Sequence, residues 1–277
     1  MTRLDDVPVD IDPTRDRPVY KQIADWLRDA ITVQALRSEM RLPSESALMR
    51  RFRTTRTTVR RALSELENEG RVRKEQGVGV FVKRAIREDA LIRQPYDRMA
   101  RHRWREGMSP LYVDAQSRGF TPQDVAQDRV ELAEVRPPRE VADLLGVSGD
   151  VDVFRRRRRM WIGNKPTQLT ASYIPLEIAK EELRGERTGD GGTHARIEEL
   201  GYQLTAFVES LSARMPRPHE SAELRLGKGV PVVDLTQTTY AGDQPVECYI
   251  AVIAADRYMF QYEINARPQP LDDAATT

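Results

Sequence analysis

Two helix-forming segments joined by only Arg53 and Thr54 leave the N-terminal part of the chain a narrow choice of folds. Upstream of the junction, Pro43 ends the preceding segment. Ser44 can then cap a helix that runs to about residue 52. Downstream, Thr55 is the candidate cap of the next helix. Two helices joined this tightly are typical of a helix-turn-helix.

The second helix of this pair has two contrasting faces. Its apolar stripe consists of Val59, Ala62, Leu63 and Leu66, and the pattern ends at Gly70. At about 100° per residue, the opposite face carries Thr57, Arg60, Arg61 and Ser64, with Arg56 in the first turn. An amphipathic segment at 18–35 precedes the pair. The exposed face of the second helix is therefore predicted to be basic and rich in hydroxyl groups.

A hairpin follows the helices. Two short β runs, 71–75 and 80–83, are joined by Gln76, Gly77, Val78 and Gly79. Three helices and a hairpin predict a winged helix-turn-helix, whose recognition helix enters the major groove of DNA. There, arginine can bond bidentately to guanine and hydroxyl groups can bind phosphates, while a glycine at the wing tip lets the backbone approach the minor groove.

The charge distribution agrees with a DNA-binding N-terminal part. The whole chain has 44 Lys and Arg against 43 Asp and Glu, which by itself argues against a nucleic-acid partner. The window 37–84, however, has 13 basic and 6 acidic residues, and the chain after residue 84 is net acidic. For Arg50, Arg51, Arg61 and Arg71, a solvated charged face is the alternative interpretation.

The N-terminal part resembles the DNA-binding domain of GntR-family transcription regulators. The resemblance rests on residues 42–45, 55–63, 69–70 and 76–82, which occur in the family's order. It implies contacts with double-stranded DNA by Ser44, Glu45, Thr55, Arg56, Thr57, Thr58, Arg60, Arg61, Gln76 and Gly77. Ser46 stands where the family often has arginine, so no contact is assigned to that position.

The chain between 85 and 131 is polar and rich in arginine, with Trp104 among the arginines. We predict a linker that docks on the second domain, and stacking on nucleic acid is the alternative. From residue 132, strand and helix patterns alternate. Strands are predicted at 151–162, 168–175, 204–215, 232–240 and 246–255, and the turns at 163–166 and 241–244 imply antiparallel neighbours. The fold class predicted for the second domain is α+β around an antiparallel sheet.

Five consecutive arginines, residues 155–159, lie within one predicted strand. Alternation places Arg156 and Arg158 on the face that also carries the better core residues of that strand. A buried guanidinium is costly unless it meets an anion. A bound carboxylate or phosphate, or a partner such as Glu209 or Glu247, is predicted to neutralise these two arginines.

The second domain resembles the UTRA effector-binding domain, which places the chain in the HutC-like branch of the GntR family. The resemblance rests on the strand order and on residues 172–175, 191–192, 229–232 and 244–247. It implies a fold similar to chorismate lyase, with a cleft for a small effector, for which an anion is one candidate. The residues implied to line the cleft are Arg156, Arg158, Thr170, Ser172, Gly192, His194 and Glu247. Met160, Thr170 and Ile253 depart from members that bind sugar phosphates. A sugar phosphate is therefore less expected here, and a less polar acid or another metabolite is at least as good a candidate.

Catalysis is not predicted. His102, His194 and His219 lie far apart without metal-ligand spacing, and residues 227–229 lack the flanking residues of a P-loop. Cys248, the single cysteine, is predicted to be a small buried residue. No catalytic residue, metal site or cofactor is therefore assigned. The alternatives are an enzyme of lyase-like fold tethered to a DNA-binding module, and a ligand-independent DNA-binding protein.

Together these patterns predict a cytoplasmic, homodimeric transcription repressor. No apolar segment is long enough to span a membrane, and residues 1–12 do not form a signal peptide. The predicted parts are a DNA-binding domain at 13–84, a linker at 85–131, an effector-binding and dimerisation domain at 132–265, and a tail at 266–277. A single winged domain reads half a site, so a two-fold dimer would bind a palindromic operator. An effector near Arg158 and Glu247 is predicted to favour a dimer with wrongly spaced recognition helices.

Overall fold

The N-terminal helices form where the sequence supplies a cap and an apolar stripe. The computed structural model describes residue 4 and residues 7–33, 35–83 and 90–263. The first domain contains α1 (Val19–Thr32), α2 (Glu45–Phe52), α3 (Arg56–Asn68) and an antiparallel hairpin of β1 (Val72–Glu75) and β2 (Gly79–Val82). The hydroxyl of Ser44 accepts a hydrogen bond from Ala47 N at 3.2 Å, and that of Thr55 accepts one from Thr58 N at 3.3 Å. Both predicted caps are confirmed.

The apolar stripes of the three helices meet in one core. Leu27 of α1, Leu48 of α2 and Leu66 of α3 are fully buried. The rings of Trp26 and Phe52 meet edge-to-face, with their centroids 5.1 Å apart. Burial of each such side chain stabilises the fold by roughly 1.5 to 3 kcal/mol. The winged helix-turn-helix predicted from the sequence is confirmed.

The second domain is built around a six-stranded antiparallel sheet. Its strands are β4 (Val125–Val135), β5 (Val153–Ile162), β6 (Lys165–Pro175), β7 (Ala206–Arg214), β8 (Val232–Ala241) and β9 (Gln244–Ala254). They lie side by side in the order β4-β5-β6-β9-β8-β7. Its helices are α4 (Pro95–Arg98), α5 (Arg101–Arg105), α6 (Pro110–Gln116), α7 (Arg139–Leu145), α8 (Glu181–Arg184), α9 (Gly192–Glu199) and α10 (Pro218–Glu223). A further pair, β3 (Leu91–Arg93) and β10 (Tyr258–Phe260), is parallel. The predicted α+β class is confirmed.

Separate helices cover separate parts of the sheet. Leu145 of α7 packs in a cluster with Tyr173 and Cys248, and Cys248 is fully buried as predicted. Ile197 of α9 packs in a different cluster with Phe154 of β5. These two clusters lie on opposite faces of the sheet, because Val153 and Phe154 are consecutive in β5. On the face that carries Phe154, the sheet residues Arg158, Thr170 and Ser172 line a cavity. Of the helices in the described ranges, none has the length and apolar character needed to cross a membrane.

The segment predicted to be a linker is mostly part of the second domain. From residue 90 onward it supplies β3, α4, α5, α6 and the first residues of β4. Leu91 of β3 lies opposite Tyr258 of β10, and Val125 of β4 lies opposite Ile162 of β5. The predicted boundary between 131 and 132 is therefore wrong, because it falls inside an edge strand. The predicted domain ends at 84 and 265 and the tail at 266–277 lie outside the described residues.

Candidate functional site

The first turns of α3 expose the basic face that the sequence predicts. The side chains of Arg56 and Arg60 are 58% and 59% exposed, and Thr57 is exposed beside them. Val59 and Leu66, on the other side of the helix, are buried in the core. The packing of α3 thus fixes which of its faces reaches solvent.

Glu45 of α2 lies between the two arginines of α3. Arg60 Nε donates to Glu45 Oε1 at 3.0 Å, and Arg56 Nε lies 3.6 Å from Glu45 Oε2. A carboxylate here aligns both guanidinium groups, whereas a DNA phosphate would repel it. We therefore infer that Glu45 positions the arginines and does not contact DNA directly. Such an exposed ion pair is worth about 0 to 1 kcal/mol, so a phosphate can replace it at little cost.

Two hydroxyl groups predicted to contact DNA already serve as helix caps, and a third contacts one of them. Ser44 and Thr55 accept backbone hydrogen bonds, and the hydroxyls of Thr55 and Thr58 lie 3.0 Å apart. Arg61 is drawn toward α1, because its guanidinium carbon lies 4.5 Å from the centroid of the Tyr20 ring. These four residues therefore support the surface of α3. Thr55 and Arg61 are themselves exposed on that surface, as are Arg56, Thr57 and Arg60.

The hairpin tip presents Gln76 and Gly77 to solvent. Gly77 has φ 75°, and a Cβ at this position would meet nothing within 4 Å. Glycine is needed at Gly77 for the backbone angle, and the open space around it leaves the tip free to approach another molecule.

A cavity of about 850 Å³ lies over the sheet of the second domain. Its walls come from the sheet, from residues 106–112 and from residues 187–194. Its polar lining includes Arg98, Ser109, Arg158, Gln168, Thr170, Ser172, His194, Gln237, Glu247 and Tyr249. A concave site of this size with a few convergent polar groups is suited to a small molecule. Six of the seven predicted effector contacts line it, namely Arg158, Thr170, Ser172, Gly192, His194 and Glu247.

Arg158 brings a half-buried positive charge to the cavity. It stands opposite Thr170 in the pairing of β5 with β6. Its Nε is buried and has no hydrogen-bond partner among the described residues. Burial lowers the pKa of the Arg158 guanidinium, and the neighbouring Tyr249 and Glu247 only partly offset that effect. An anion in the cavity would relieve this unfavourable burial.

Glu247 and His194 form a buried pair in the same cavity. His194 Nε2 lies 3.3 Å from Glu247 Oε2. Burial alone would raise the pKa of Glu247, but the hydrogen bond and charge of His194, together with Arg158, outweigh burial and lower it. Glu247 is therefore a buried carboxylate. The ring of His194 is packed against those of Trp104 and Phe207, with centroids 4.9 and 5.3 Å away.

Arg156, unlike the other six predicted effector contacts, is not among the residues that line the cavity. Its Nη2 donates to the backbone oxygens of Leu183 and Gly185, the latter at 2.7 Å. Burial and the nearby charge of Arg158 lower the pKa of Arg156 to about 10. Through Nη2, Arg156 holds the end of α8 and the residue after it against the sheet, whereas its buried Nη1 has no hydrogen-bond partner among the described residues.

Glu209 is also placed differently from the prediction. It pairs with the fully buried Arg93 of β3, and not with Arg156 or Arg158. No role was predicted for Arg93, because it lies in the segment that was predicted to be a linker.

A second buried ion pair joins α4 to α6. Arg98 pairs with Asp114 and donates to the backbone oxygen of Pro110 at 2.7 Å. Burial raises the pKa of Asp114 to about 6, although Arg98 and Arg93 oppose that shift. Arg98 also reaches the cavity wall, so this ion pair connects the wall to the interior.

Comparisons with known proteins agree with this two-domain arrangement. The model of the bacterial regulatory proteins of the gntR family matches residues 19–82, and the UTRA domain model matches residues 124–259. The HTH-type transcriptional repressor NagR of Bacillus subtilis (strain 168) is 28% identical over 250 residues, which cover 90% of this chain and 95% of NagR.

The chain belongs to the GntR family of transcription regulators. This GntR-family regulator carries a UTRA effector domain, of the HutC-like type. It is also similar to the mannosyl-D-glycerate transport/metabolism system repressor MngR of Escherichia coli (strain K12), at 29% identity over 82% of this chain and 87% of MngR. A solved GntR-family structure shares the fold, with a TM-score of 0.62 and 20% identity over 91% of this chain and 99% of that one. Its family and the relatives named here are DNA-binding transcription regulators and not enzymes.

Part of the regulator's cavity wall lies outside both matched segments. Residues 90–123, called the connecting segment below, contribute Arg98, Ser109 and Tyr112. The sequence analysis missed these residues, and also Gln168, Gln237 and Tyr249 on the sheet. Strand alternation could have found Gln168, because it shares a face with Thr170 and Ser172. Of the three departures noted in the sequence, Met160 and Thr170 line the cavity, whereas Ile253 is buried in the core.

Proposed function

We propose that this regulator is a cytoplasmic homodimer that represses transcription at a palindromic operator and is released by a small anionic effector. The observation that carries the proposal is Arg158, a half-buried arginine in the cavity whose buried Nε has no hydrogen-bond partner among the described residues. A DNA-binding domain coupled to such a cavity is suited to respond to a metabolite.

The charges of the cavity favour an acid that also carries hydroxyl or amino groups. A carboxylate or phosphate would pair with Arg158 through charge-assisted hydrogen bonds. Glu247 is ionised and can only accept, so it favours a hydroxyl or amino donor on the same molecule. The amides and hydroxyls around them, on Gln168, Thr170 and Gln237, add further partners. Hydroxy acids, amino acids and sugar phosphates share this chemistry.

On the DNA side, we assign base contacts to Arg56, Thr57 and Arg60. They are exposed at the start of α3, which is the end of a recognition helix that meets base edges in this fold. The first turns of α2 and α3, capped by Ser44 and Thr55, are suited to phosphates because their amides point outward. Gln76 and Gly77 at the wing tip approach the neighbouring groove.

The two edges of the sheet differ in a way that supports a dimer through β7. At the β4 edge, Asp128 and Glu131 are engaged with arginines of β5. The nine-residue β7 carries exposed apolar side chains, with Val208 56% and Leu211 40% exposed. A long apolar edge strand is a template for pairing with another strand. A second copy of this chain can supply that strand antiparallel, as a two-fold axis requires.

Repression is the direction supported by the relatives. NagR and MngR are both named as repressors, and both align with most of this chain. In a repressor of this type, effector binding favours a dimer whose recognition helices no longer fit the two half-sites.

The proposal is tested with the full chain and a DNA duplex that it selects from a random pool. Fluorescence anisotropy measures its affinity for that duplex alone and with each member of a set of hydroxy acids, amino acids and sugar phosphates. We expect at least one acid to weaken DNA binding by about tenfold or more, a usual size for allosteric coupling. If DNA binds tightly and no compound changes either that affinity or the melting temperature, the protein is ligand-independent and the effector part of the proposal fails.

A further inference from the structure

The loop 227–229, between α10 and β8, meets the end of α3. Gly229 has φ 69°, and a Cβ at this position would lie 1.9 Å from Asn68 O and 2.7 Å from Gly70 N. From the other side, a Cβ at Gly70 would lie 3.2 Å from Gly229 O. The two domains therefore touch here backbone to backbone, without intervening side chains.

Only glycine fits this contact at position 229. A side chain there would meet backbone atoms, which cannot move aside as the tip of a flexible side chain can. The carbonyl of Asn68 is in the last turn of α3, where helix carbonyls lack intrahelical partners. The close approach of Gly229 covers that carbonyl. Gly227 extends the contact, since a Cβ at this position would lie 2.9 Å from Lys83 Nζ.

The loop is firmly attached to the effector domain. Arg257 Nη2 donates to the backbone oxygen of Leu224 at 2.7 Å, just before the loop. Leu224 is fully buried and packs with Val232 of β8 and Ala254 of β9. Any movement of the sheet therefore carries the loop with it.

The end of α3 is equally well fixed within its own domain. Gly70 N donates to Glu67 O at 3.0 Å, and Arg71 N donates to Leu66 O at 2.9 Å. Leu66 is fully buried in the first domain. Among the described residues, the apolar clusters of the two domains have no member in common. Domains joined by such small contacts are free to change their relative orientation unless a specific contact holds them.

We propose that the loop 227–229 is an intramolecular interface that fixes the direction of the recognition helix relative to the effector domain. The helix α3 has 13 residues. At about 1.5 Å per residue, its length of roughly 20 Å separates the contact from the exposed arginines, so a tilt at one end displaces the other end. The contact thus governs where the arginines lie without touching DNA.

The test measures the distance between the domains in the full chain. Spin labels are attached at Asp29→Cys in α1 and Arg139→Cys in α7, both of which are exposed, in a Cys248→Ala background. Labelled protein is mixed with excess unlabelled protein, so that electron double resonance reports distances within one chain. We expect a single narrow distance distribution, and a broader or shifted one for Gly229→Ala.

The matched control is Gly242→Ala. Gly242 lies in the same domain with φ 61°, but a Cβ there would meet nothing within 4 Å. Both variants therefore carry the same backbone strain, and only one of them disturbs the contact. The inference is overturned if the two variants give the same distribution as the parent protein.

A second pair approaches the interface from the DNA-binding domain. Gly70→Ala is compared with Gly77→Ala, since both glycines have positive φ and only Gly70 faces the loop. Circular dichroism checks the fold of every variant. If Gly229→Ala does not fold, this pair decides: a broader distribution for Gly70→Ala alone supports the interface, and equal distributions reject it.

Discussion

Arg157 and Arg158 are neighbours in the chain but lie on opposite faces of β5. Arg157 is 52% exposed and lies 3.4 Å from a carboxylate oxygen of Glu131 on the outer face. Arg158 is turned into the cavity, where it stands opposite Thr170. Two consecutive residues of the same type therefore have different surroundings, which makes each the natural control for the other.

Arg158→Ala should abolish the response of DNA binding to effector. Arg158→Ala removes the cation that would pair with the acid group of the effector. Arg157→Ala removes a surface charge whose ion pair contributes about 0 to 1 kcal/mol to stability. Anisotropy titrations of the selected duplex, with and without the effector, measure the response of both variants. A lost response in both variants, or a retained response in Arg158→Ala, would contradict this role for Arg158.

Arg56→Ala should weaken operator binding by about 1 to 3 kcal/mol, because the exposed guanidinium at the start of α3 is assigned to a base edge. Arg139→Ala, which removes an arginine that is 94% exposed on α7 of the other domain, is the control and should leave DNA affinity unchanged. Binding to the selected duplex is compared with binding to a scrambled duplex of equal length. If Arg56→Ala and the parent protein bind the selected duplex with equal affinity, Arg56 does not contact a base.

Asp114 should give the second domain a distinctive dependence of stability on pH. Burial raises its pKa to about 6, above the value of about 4 in an unfolded chain, so the folded state binds the proton more tightly. The resulting stabilisation is complete below about pH 4 and is lost as the pH rises to about 6, amounting to at most about 3 kcal/mol.

Urea unfolding between pH 4 and 7 measures this dependence. In Asp114→Asn the fall in unfolding free energy between pH 4 and 6 should disappear, even though loss of the partner of Arg98 destabilises the variant at every pH. The exposed Asp243→Asn is the control and should keep the parent slope. A parent-like slope in Asp114→Asn would assign the pH dependence to other groups.

Val208→Lys with Leu211→Lys should convert the proposed dimer to a monomer. Lysines on an edge strand oppose pairing with a second copy, because two like charges would meet across the two-fold axis. Sedimentation velocity measures the mass, and the exposed Val151→Lys, which lies before β5, is the control. An unchanged dimer would place the interface elsewhere on the chain.

The parts of the structure that could be predicted are those encoded by local patterns. The caps Ser44 and Thr55 and the stripe of α3 each lie within a few residues of the features they determine. Alternation along β5 likewise turned Arg158 inward, because side-chain direction in a strand depends only on position.

The missed features depend on contacts between distant residues. Arg156 and Arg158 share a face of β5, so alternation alone cannot tell their roles apart. Arg156 is structural because it binds the carbonyls of Leu183 and Gly185, which lie more than 20 residues away in the chain. The connecting segment was missed because its helices α4 and α5 have four and five residues, too few to display a helical period. β4 was missed because the charged residues Asp128, Arg129, Glu131 and Glu134 interrupt any clear apolar run.

The parallel pairing of β3 with β10 joins the first strand of the connecting segment to the last strand of the sheet domain. The UTRA family model matches the sheet domain only from residue 124. The strand that completes this domain, β3, lies about thirty residues before that position. A chimera that fuses this DNA-binding domain to another sensor, or this sensor to another DNA-binding domain, should be cut before residue 90. A cut at the family boundary would leave β10 without its neighbour and remove one wall of the cavity.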